Sequence, residues 1–318
     1  MFIDKHRRNN IYPTTYSCFL NQCIEMNKNA ISFIWGIVLV ATFMGCQTNT
    51  DSNSKEQATA LNSAKQVVPW KVATIAYTFR KFTFFEAISK TKELGINYIG
   101  GYPGQIIGEG VAGNMDYKMD VDTRNKVLAH LKSQGVKLID YGVITPNTEE
   151  DWKTLFEFAK AMGIENIVSE PAPEQLQLVS KLCDTYEIDV AIHNHPAPSR
   201  YWHPDTLLAS ISGLSARIGA CADVGHWIRS GLDPVESLKK LDGHIKELHF
   251  KDESEKGPKA LEVVWGTGQA DVKEMLAELH RQRFSGFLSI EYESNPEDNL
   301  NEIKESLVYY NQIVKSFQ

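Results

Sequence analysis

The sequence predicts a single-domain (β/α)8 TIM barrel, and three observations carry that prediction. Apolar, β-rich runs alternate with amphipathic helical stretches from residue 71 to residue 318. Eight of each fit within about 245 residues, the ordinary size of such a barrel. Side chains of metal-ligand type, Glu170, His193, His195, Asp223, His226, His249 and Glu291, fall at or just past the ends of runs. In a parallel barrel those ends open onto one mouth, where the chemistry is done.

The elements follow in order. Runs at 71–77 and 97–102 flank a helical stretch at 84–94, with Gly95 placed to end it. A helix at 123–133, followed by Gly135, leads to the run at 137–143. The next helix, 149–162, carries Trp152, Leu155, Phe156 and Ala159 at i, i+3, i+4, i+7 spacing, the mark of one buried face. Thr148, with Asp151 three residues on, makes a near capping box at its start, and Gly163 closes it. Runs at 166–170, 189–195, 218–223 and 245–250 alternate with helices at 174–186, 204–211, 234–241 and 272–282. Asp233-Pro234 sets a cap residue ahead of a first-turn proline. The run at 286–292 and a helix at 300–316 complete the series. No GxGxxG turn follows the first run, so the competing open doubly wound sheet lacks its phosphate-binding turn. The longest non-helical connections are 103–121, with Gly104, Gly108, Gly110 and Gly113, and 251–268. Long glycine-bearing loops on this face are expected to cover substrate.

Composition sets limits on partners. Hydrophobic content of 42% and charged content of 23% are ordinary for a globular protein. A net charge of −7 argues against nucleic acid, whose phosphates need a basic face. Cys18, Cys23, Cys46, Cys183 and Cys221 form no CxxC pair and no zinc-ribbon spacing. Cys183 and Cys221 read as buried free thiols.

The N-terminus reads as separate from the barrel. Residues 31–45, ISFIWGIVLVATFMG, are a charge-free apolar run after Lys28 and just before Cys46. That is short for a membrane span but fits a signal-peptide core. Met44-Gly45-Cys46 resembles a bacterial lipoprotein cleavage box, with Phe43 where the pattern usually has leucine; a plain anchor helix is the alternative. Met26 opens MNKNAISFIWG, the shape of a complete signal peptide, so translation is expected to start there. The polar segment 47–66 reads as a flexible tether. The expected organisation is signal peptide and lipoprotein anchor at 1–46, tether at 47–66 and barrel at 67–318. It places the protein in the bacterial cell envelope, periplasmic or outer-membrane attached, with the membrane met only through the N-terminal lipid.

Each candidate site residue has a chemical reason. Glu170 follows Ile167-Val168-Ser169, and a carboxylate there needs a cation or hydrogen bonds, as ligand, base or ion-pair partner. Strand alternation puts His193 and His195 on one side and Asn194 on the other, and at least one imidazole is expected to bind metal. Asp223 is placed to ligate directly, while His226, one turn on, reaches substrate or serves as an acid. His249 and Glu291 end the last two runs. Carboxylates with imidazoles suit one divalent ion of Mn, Co, Zn, Fe or Mg.

Segments AIHNHP, ADVGH, ELHFKD, WGTGQADVKEML and SIEYE occur in this order over residues 191–293. Together they resemble the xylose isomerase-like barrel superfamily, the sugar phosphate isomerases and epimerases, across about residues 70–318. The resemblance implies one metal ligand from each of strands five to eight, His193, Asp223, His249 and Glu291, with His226 as the neighbouring substrate-binding residue. Many relatives have glutamate at the position of His193, and in the epimerases it is half of a two-base pair. Here either Glu170 takes over as base or ligand, or the two-carboxylate mechanism does not operate.

The chemistry implied is proton abstraction beside a carbonyl, with a metal stabilising the enediolate. Glu291 or Glu170 would be the base, and His226 or His195 would return the proton. Isomerase, epimerase and dehydratase or lyase outcomes share that first step. Trp202, Trp227 and Trp265 are expected either to stack on a sugar ring or to pack in the core or at the surface. An envelope location and the lack of a phosphate loop favour an unphosphorylated sugar, keto-sugar or glycoside. A 3-keto-glycoside lyase or hydrolase is the rival enzyme, and a sugar-binding surface lipoprotein the rival of another class. An endonuclease role is disfavoured by the acidic charge and by the lack of extra histidines in the first three strands.

Overall fold

Eight parallel strands close on themselves in a computed structural model that describes residues 68–317. They are β1 (Lys71–Ile75), β2 (Tyr98–Gly101), β3 (Lys137–Tyr141), β4 (Asn166–Ser169), β5 (Asp189–His193), β6 (Ile218–Asp223), β7 (Ile245–Phe250) and β8 (Phe287–Ile290). Each pairs with its neighbours in sequence, and β1 closes the barrel against β8 with Lys71 opposite Phe287. β4 and β6 are buried along their whole length, as expected of strands covered on both faces. The readings of residues 1–46 and 47–66 lie outside the described residues.

Helices α1 (Phe84–Glu93), α2 (Val121–Gln134), α3 (Glu149–Met162), α4 (Leu176–Tyr186) and α5 (Pro204–Ile211) follow the first five strands. Then come α6 (Val224–Arg229), α7 (Pro234–Lys240), α8 (Val272–Arg281) and α9 (Leu300–Lys315). Local chemistry sets many of the boundaries. Thr148 accepts a hydrogen bond from the Asp151 amide at 3.1 Å, and Asp233 accepts one from the Glu236 amide at 3.0 Å. α3 ends because Gly163 adopts φ 71°, a left-handed turn that costs glycine nothing. Asp120 caps the Thr123 amide, so α2 begins two residues before the predicted start. β1 stops at Ile75 and turns into a 3-10 segment, Ala76–Phe79, while the eighth strand shortens to four residues.

Both long loops contain hairpins that the sequence reading left irregular. Ile106–Gly108 pairs with Val111–Asn114 after β2, and Asp252–Glu253 pairs with Glu262–Val263 after β7. The second is pinned by Asp252. Its Oδ1 accepts from the Glu253 and Ala270 amides and its Oδ2 from the Gly266 and Gly268 amides, each at 2.9 Å. Four amides on one carboxylate make a stiff loop base.

The two tryptophans at 227 and 265 are 1% exposed and belong to the core, with Trp265 edge-on to Phe250. They therefore cannot stack on a ligand, which corrects one of the two expectations for them. Trp202 is half-buried and sits edge-on to His203. Cys183 and Cys221 are buried free thiols.

The barrel interior also holds a polar layer. Glu247 accepts from Ser289 Oγ at 2.7 Å and from Asn166 Nδ2 at 3.1 Å. Burial, with the Glu247 carboxylate beside it, pushes Asp140 well above the usual carboxylate range. A raised folded-state pKa gives stability that is complete below the unfolded pKa and is lost as pH rises through the folded one. Asp140→Asn removes that loss. It is expected to melt like the wild type at about pH 4 and above it at about pH 8. Thermal melts across that range check this, and a variant less stable at the higher pH contradicts it.

Candidate metal centre

Strand register assembles the centre. Asp223, the last residue of β6, lies opposite His249 of β7, and His249 lies opposite Ser289 of β8, two residues before Glu291. His193 ends β5 beside Cys221. Asn194 clamps the same two strand ends: its Nδ2 donates to the Asp223 carbonyl and its Oδ1 accepts the Asp223 amide, both at 2.9 Å.

All four residues are buried, and their polar atoms converge. Asp223 Oδ2 lies 3.5 Å from His193 Nε2, 3.6 Å from His226 Nε2 and 3.9 Å from His249 Nδ1. Glu291 Oε2 lies 3.0 Å from His249 Nδ1. One ligand atom each from His193, Asp223 and His249 falls within 4.8 Å of the others. His249 Nδ1 meets only carboxylate oxygens, and its Nε2 makes no hydrogen bond although the ring is buried, a costly state unless something else engages it. Buried imidazole nitrogens facing carboxylate oxygens fit a divalent ion of the N/O-loving kind. The residues present therefore fit the metal that the sequence implied.

Glu170 stands on the other side of His193. Its Oε1 meets His193 Nδ1 at 3.2 Å and also contacts His195 Nδ1. Burial alone would raise Glu170, but the bonds to His193 and His195 outweigh it and hold its carboxyl at about 2. An ionised carboxylate only accepts, so both Nδ1 atoms carry the proton. The Nε2 of each ring is thereby turned away from Glu170. Burial opposes a charge on His193, yet its bonds to Asp223 and Glu170 lift it to about 9. Proton or metal, the cation on His193 Nε2 faces the same Asp223 oxygen.

His226 sits on α6, a short helix where the sequence reading placed none. Asp223 creates it: Oδ1 caps the His226 amide at 2.8 Å. Burial pushes His226 down to about 3, against the pull of Asp223 and with Lys251 and His193 reinforcing it. Burial thus favours the neutral ring, a state open to binding substrate, one of the two roles expected from sequence, or to accepting a proton. It stacks on His195, with centroids 5.4 Å apart. His195 itself is half exposed at the mouth.

Lys251, in the ELHFKD segment, is a further residue of the site for which the sequence alone sets no role. Its side chain is fully buried, and Nζ lies 2.7 Å from Glu291 Oε2, 3.0 Å from Asp223 Oδ2, 3.2 Å from Glu293 Oε1 and 3.5 Å from Glu262 Oε1. Two of those four oxygens belong to candidate metal ligands, Asp223 and Glu291. The same alternation that aims His249 inward aims Lys251 inward two residues later, a signal present in the sequence. Beside it, Arg229 pairs with Glu253 at 3.0 Å. Burial pushes Glu253 up to about 7 against Arg229 and Lys251, and Glu262 up to about 8 against Lys251.

Gly225 makes room for this lysine. A Cβ there would lie 2.4 Å from Lys251 Cδ and 2.6 Å from Glu253 Oε1. Gly225→Ala is expected to cost about 1–3 kcal/mol through overpacking. Thermal or denaturant melts check this, and wild-type stability would contradict the tight contact.

The chain matches the family model of the xylose isomerase-like TIM barrel over residues 88–312. No curated protein matches it significantly in sequence. Among solved structures, it is 34% identical to an uncharacterized protein from Parabacteroides distasonis, covering 77% of this chain and 99% of that one at a TM-score of 0.64. A D-tagatose 3-epimerase-like protein aligns at 17% identity over 77% of this chain and 98% of its own, with a TM-score of 0.61. The IolI protein, whose crystal structure has a bound zinc atom, aligns at 15% over 78% and 99%, with a TM-score of 0.62. The last two likenesses concern the fold. A closed eight-stranded barrel and a family model spanning most of the chain lead to one conclusion: this protein belongs to the xylose isomerase-like TIM barrel family.

Proposed function

We propose that this protein is a divalent-metal-dependent enzyme of the sugar isomerase and epimerase type, acting on an unphosphorylated sugar or keto-sugar. The observation that carries the reading is the buried convergence of His193, Asp223 and His249, with Glu291 at 3.0 Å from His249 Nδ1 and His249 Nε2 left without a hydrogen bond. These four residues would hold the ion. When bound, the ion polarises a carbonyl and makes the proton on the adjacent carbon removable near neutral pH.

The remaining steps belong to the protein's own groups. Glu170 holds Nδ1–H of both His193 and His195, which orients one ring toward Asp223 and leaves Nε2 of the other free. His195, half exposed, takes the substrate proton, and neutral His226 stacked on it takes or returns one from a hydroxyl. The Lys251 ammonium supplies a donor at the edge of Glu291. With Glu170 engaged by two rings, proton movement falls to imidazoles rather than to a pair of opposed carboxylates. That arrangement also favours a second reading, elimination from a 3-keto-glycoside, in which one acid–base set removes a proton and protonates the departing oxygen.

Residues 31–46 support export and a lipid anchor at Cys46, which would put the substrate outside the cytoplasm. An exported enzyme meets few phosphorylated sugars, hence the unphosphorylated class.

The test is solvent exchange. The full chain, loaded with Mn, Co or Zn, is incubated in D2O with unphosphorylated ketoses and 3-keto-glucosides, and deuterium beside the carbonyl is read by NMR. Metal-dependent incorporation, lost on chelation, is the expected result. Sugar binding without exchange under every metal would make the protein a sugar-binding barrel instead.

A further inference from the structure

Lys251 and the metal ion compete for the same two oxygens. Asp223 turns one oxygen toward the histidines, while Oδ1 is engaged by the His226 amide at 2.8 Å. The free one, Oδ2, lies 3.0 Å from Lys251 Nζ. The Glu291 oxygen nearest His249, Oε2, is likewise the one that Lys251 holds, at 2.7 Å. Both contacts are buried, so solvent does little to screen the ammonium from a divalent ion on those oxygens.

The ammonium has somewhere else to go. Glu293 Oε1 at 3.2 Å and Glu262 Oε1 at 3.5 Å are outside the metal set. Three N–H donors face four carboxylate oxygens, so one acceptor is always underserved. The stem is packed against Gly225, which leaves the head of the side chain to redistribute. We infer that Lys251 is a built-in competitor of the metal: it holds Asp223 and Glu291 when no ion is bound and withdraws toward Glu293 and Glu262 when one is. The inference rests on the metal reading above and adds that affinity is deliberately held down by a cation of the protein itself.

Calorimetric titration of the full chain with MnCl2 and with ZnCl2 tests this, using wild type, Lys251→Met, Lys251→Gln and Glu293→Gln. Removing a unit charge beside a divalent ion should tighten binding by about tenfold or more in the Lys251 variants. Glu293→Gln removes the charge from the nearer of the two alternative partners of Lys251 and should weaken binding by about threefold or more. In combination with Lys251→Gln that penalty should largely vanish. Lys251→Gln keeps a hydrogen-bonding head on a shorter side chain if the methionine variant fails to fold, and circular dichroism reports the fold of each. Equal or weaker binding in the folded Lys251 variants overturns the inference while leaving the metal reading intact, and would make the lysine an organiser of the ligands. No binding in wild type but clear binding in Lys251→Gln supports it. No binding in any form removes both.

Discussion

Replacing His249 and Glu291 together by alanine is expected to lower divalent-metal affinity by about a thousandfold or more, because it removes half of a converging donor set, including one charge. Glu291 and His249 approach to 3.0 Å from adjacent strands, so the pair defines one wall of the centre. The same change frees Lys251 from one of its two shortest contacts, leaving Asp223 to it at 3.0 Å. Metal-stimulated exchange should therefore disappear, while the barrel, held by strand pairing and an apolar core away from the mouth, keeps its circular dichroism spectrum. Retained metal affinity in the double variant would place the ion elsewhere.

Glu170 gives the second large effect, and its pattern separates two roles. If Glu170 orients His193 and His195, Glu170→Ala should lower metal affinity and turnover together, each by about 10–100-fold, as losses of partners to metal-bound histidines do. Glu170→Gln keeps an acceptor oxygen and should fall between wild type and alanine. If Glu170 were itself the base, turnover would drop far more and metal affinity would hold. Titration with Mn, alongside turnover at saturating metal, reads the two quantities separately.

Much of this was legible in the sequence, for identifiable reasons. Strands of a parallel barrel are buried on both faces, so they appear as uninterrupted apolar runs, and polar residues at their ends stand out. That is why Glu170, His193, Asp223, His249 and Glu291 were found together. Lys251 was not given a role because a lysine beside a strand end is ordinarily solvated; only its two-residue spacing from His249 marks it as inward. α6 escaped because its six residues have no periodicity of their own. It exists because Asp223 caps it, a tertiary event at a residue already assigned to a strand. Trp227 and Trp265 stand open in the sequence between ligand platform and core, since large aromatics near a mouth serve either purpose and packing alone decides. The Asp140–Glu247 layer could not be seen either, for it depends on which strand residues meet across the barrel.

The most direct measurement is metal stoichiometry on the purified full chain after exposure to Mn, Co and Zn and removal of excess ion. About one divalent ion per chain, lost in the His249→Ala/Glu291→Ala variant, is the predicted result. No ion retained with any of the three metals, by the wild type or by Lys251→Gln, would contradict the account, and the converging histidines and carboxylates at the barrel mouth would then be an ion-pair network organised around Lys251.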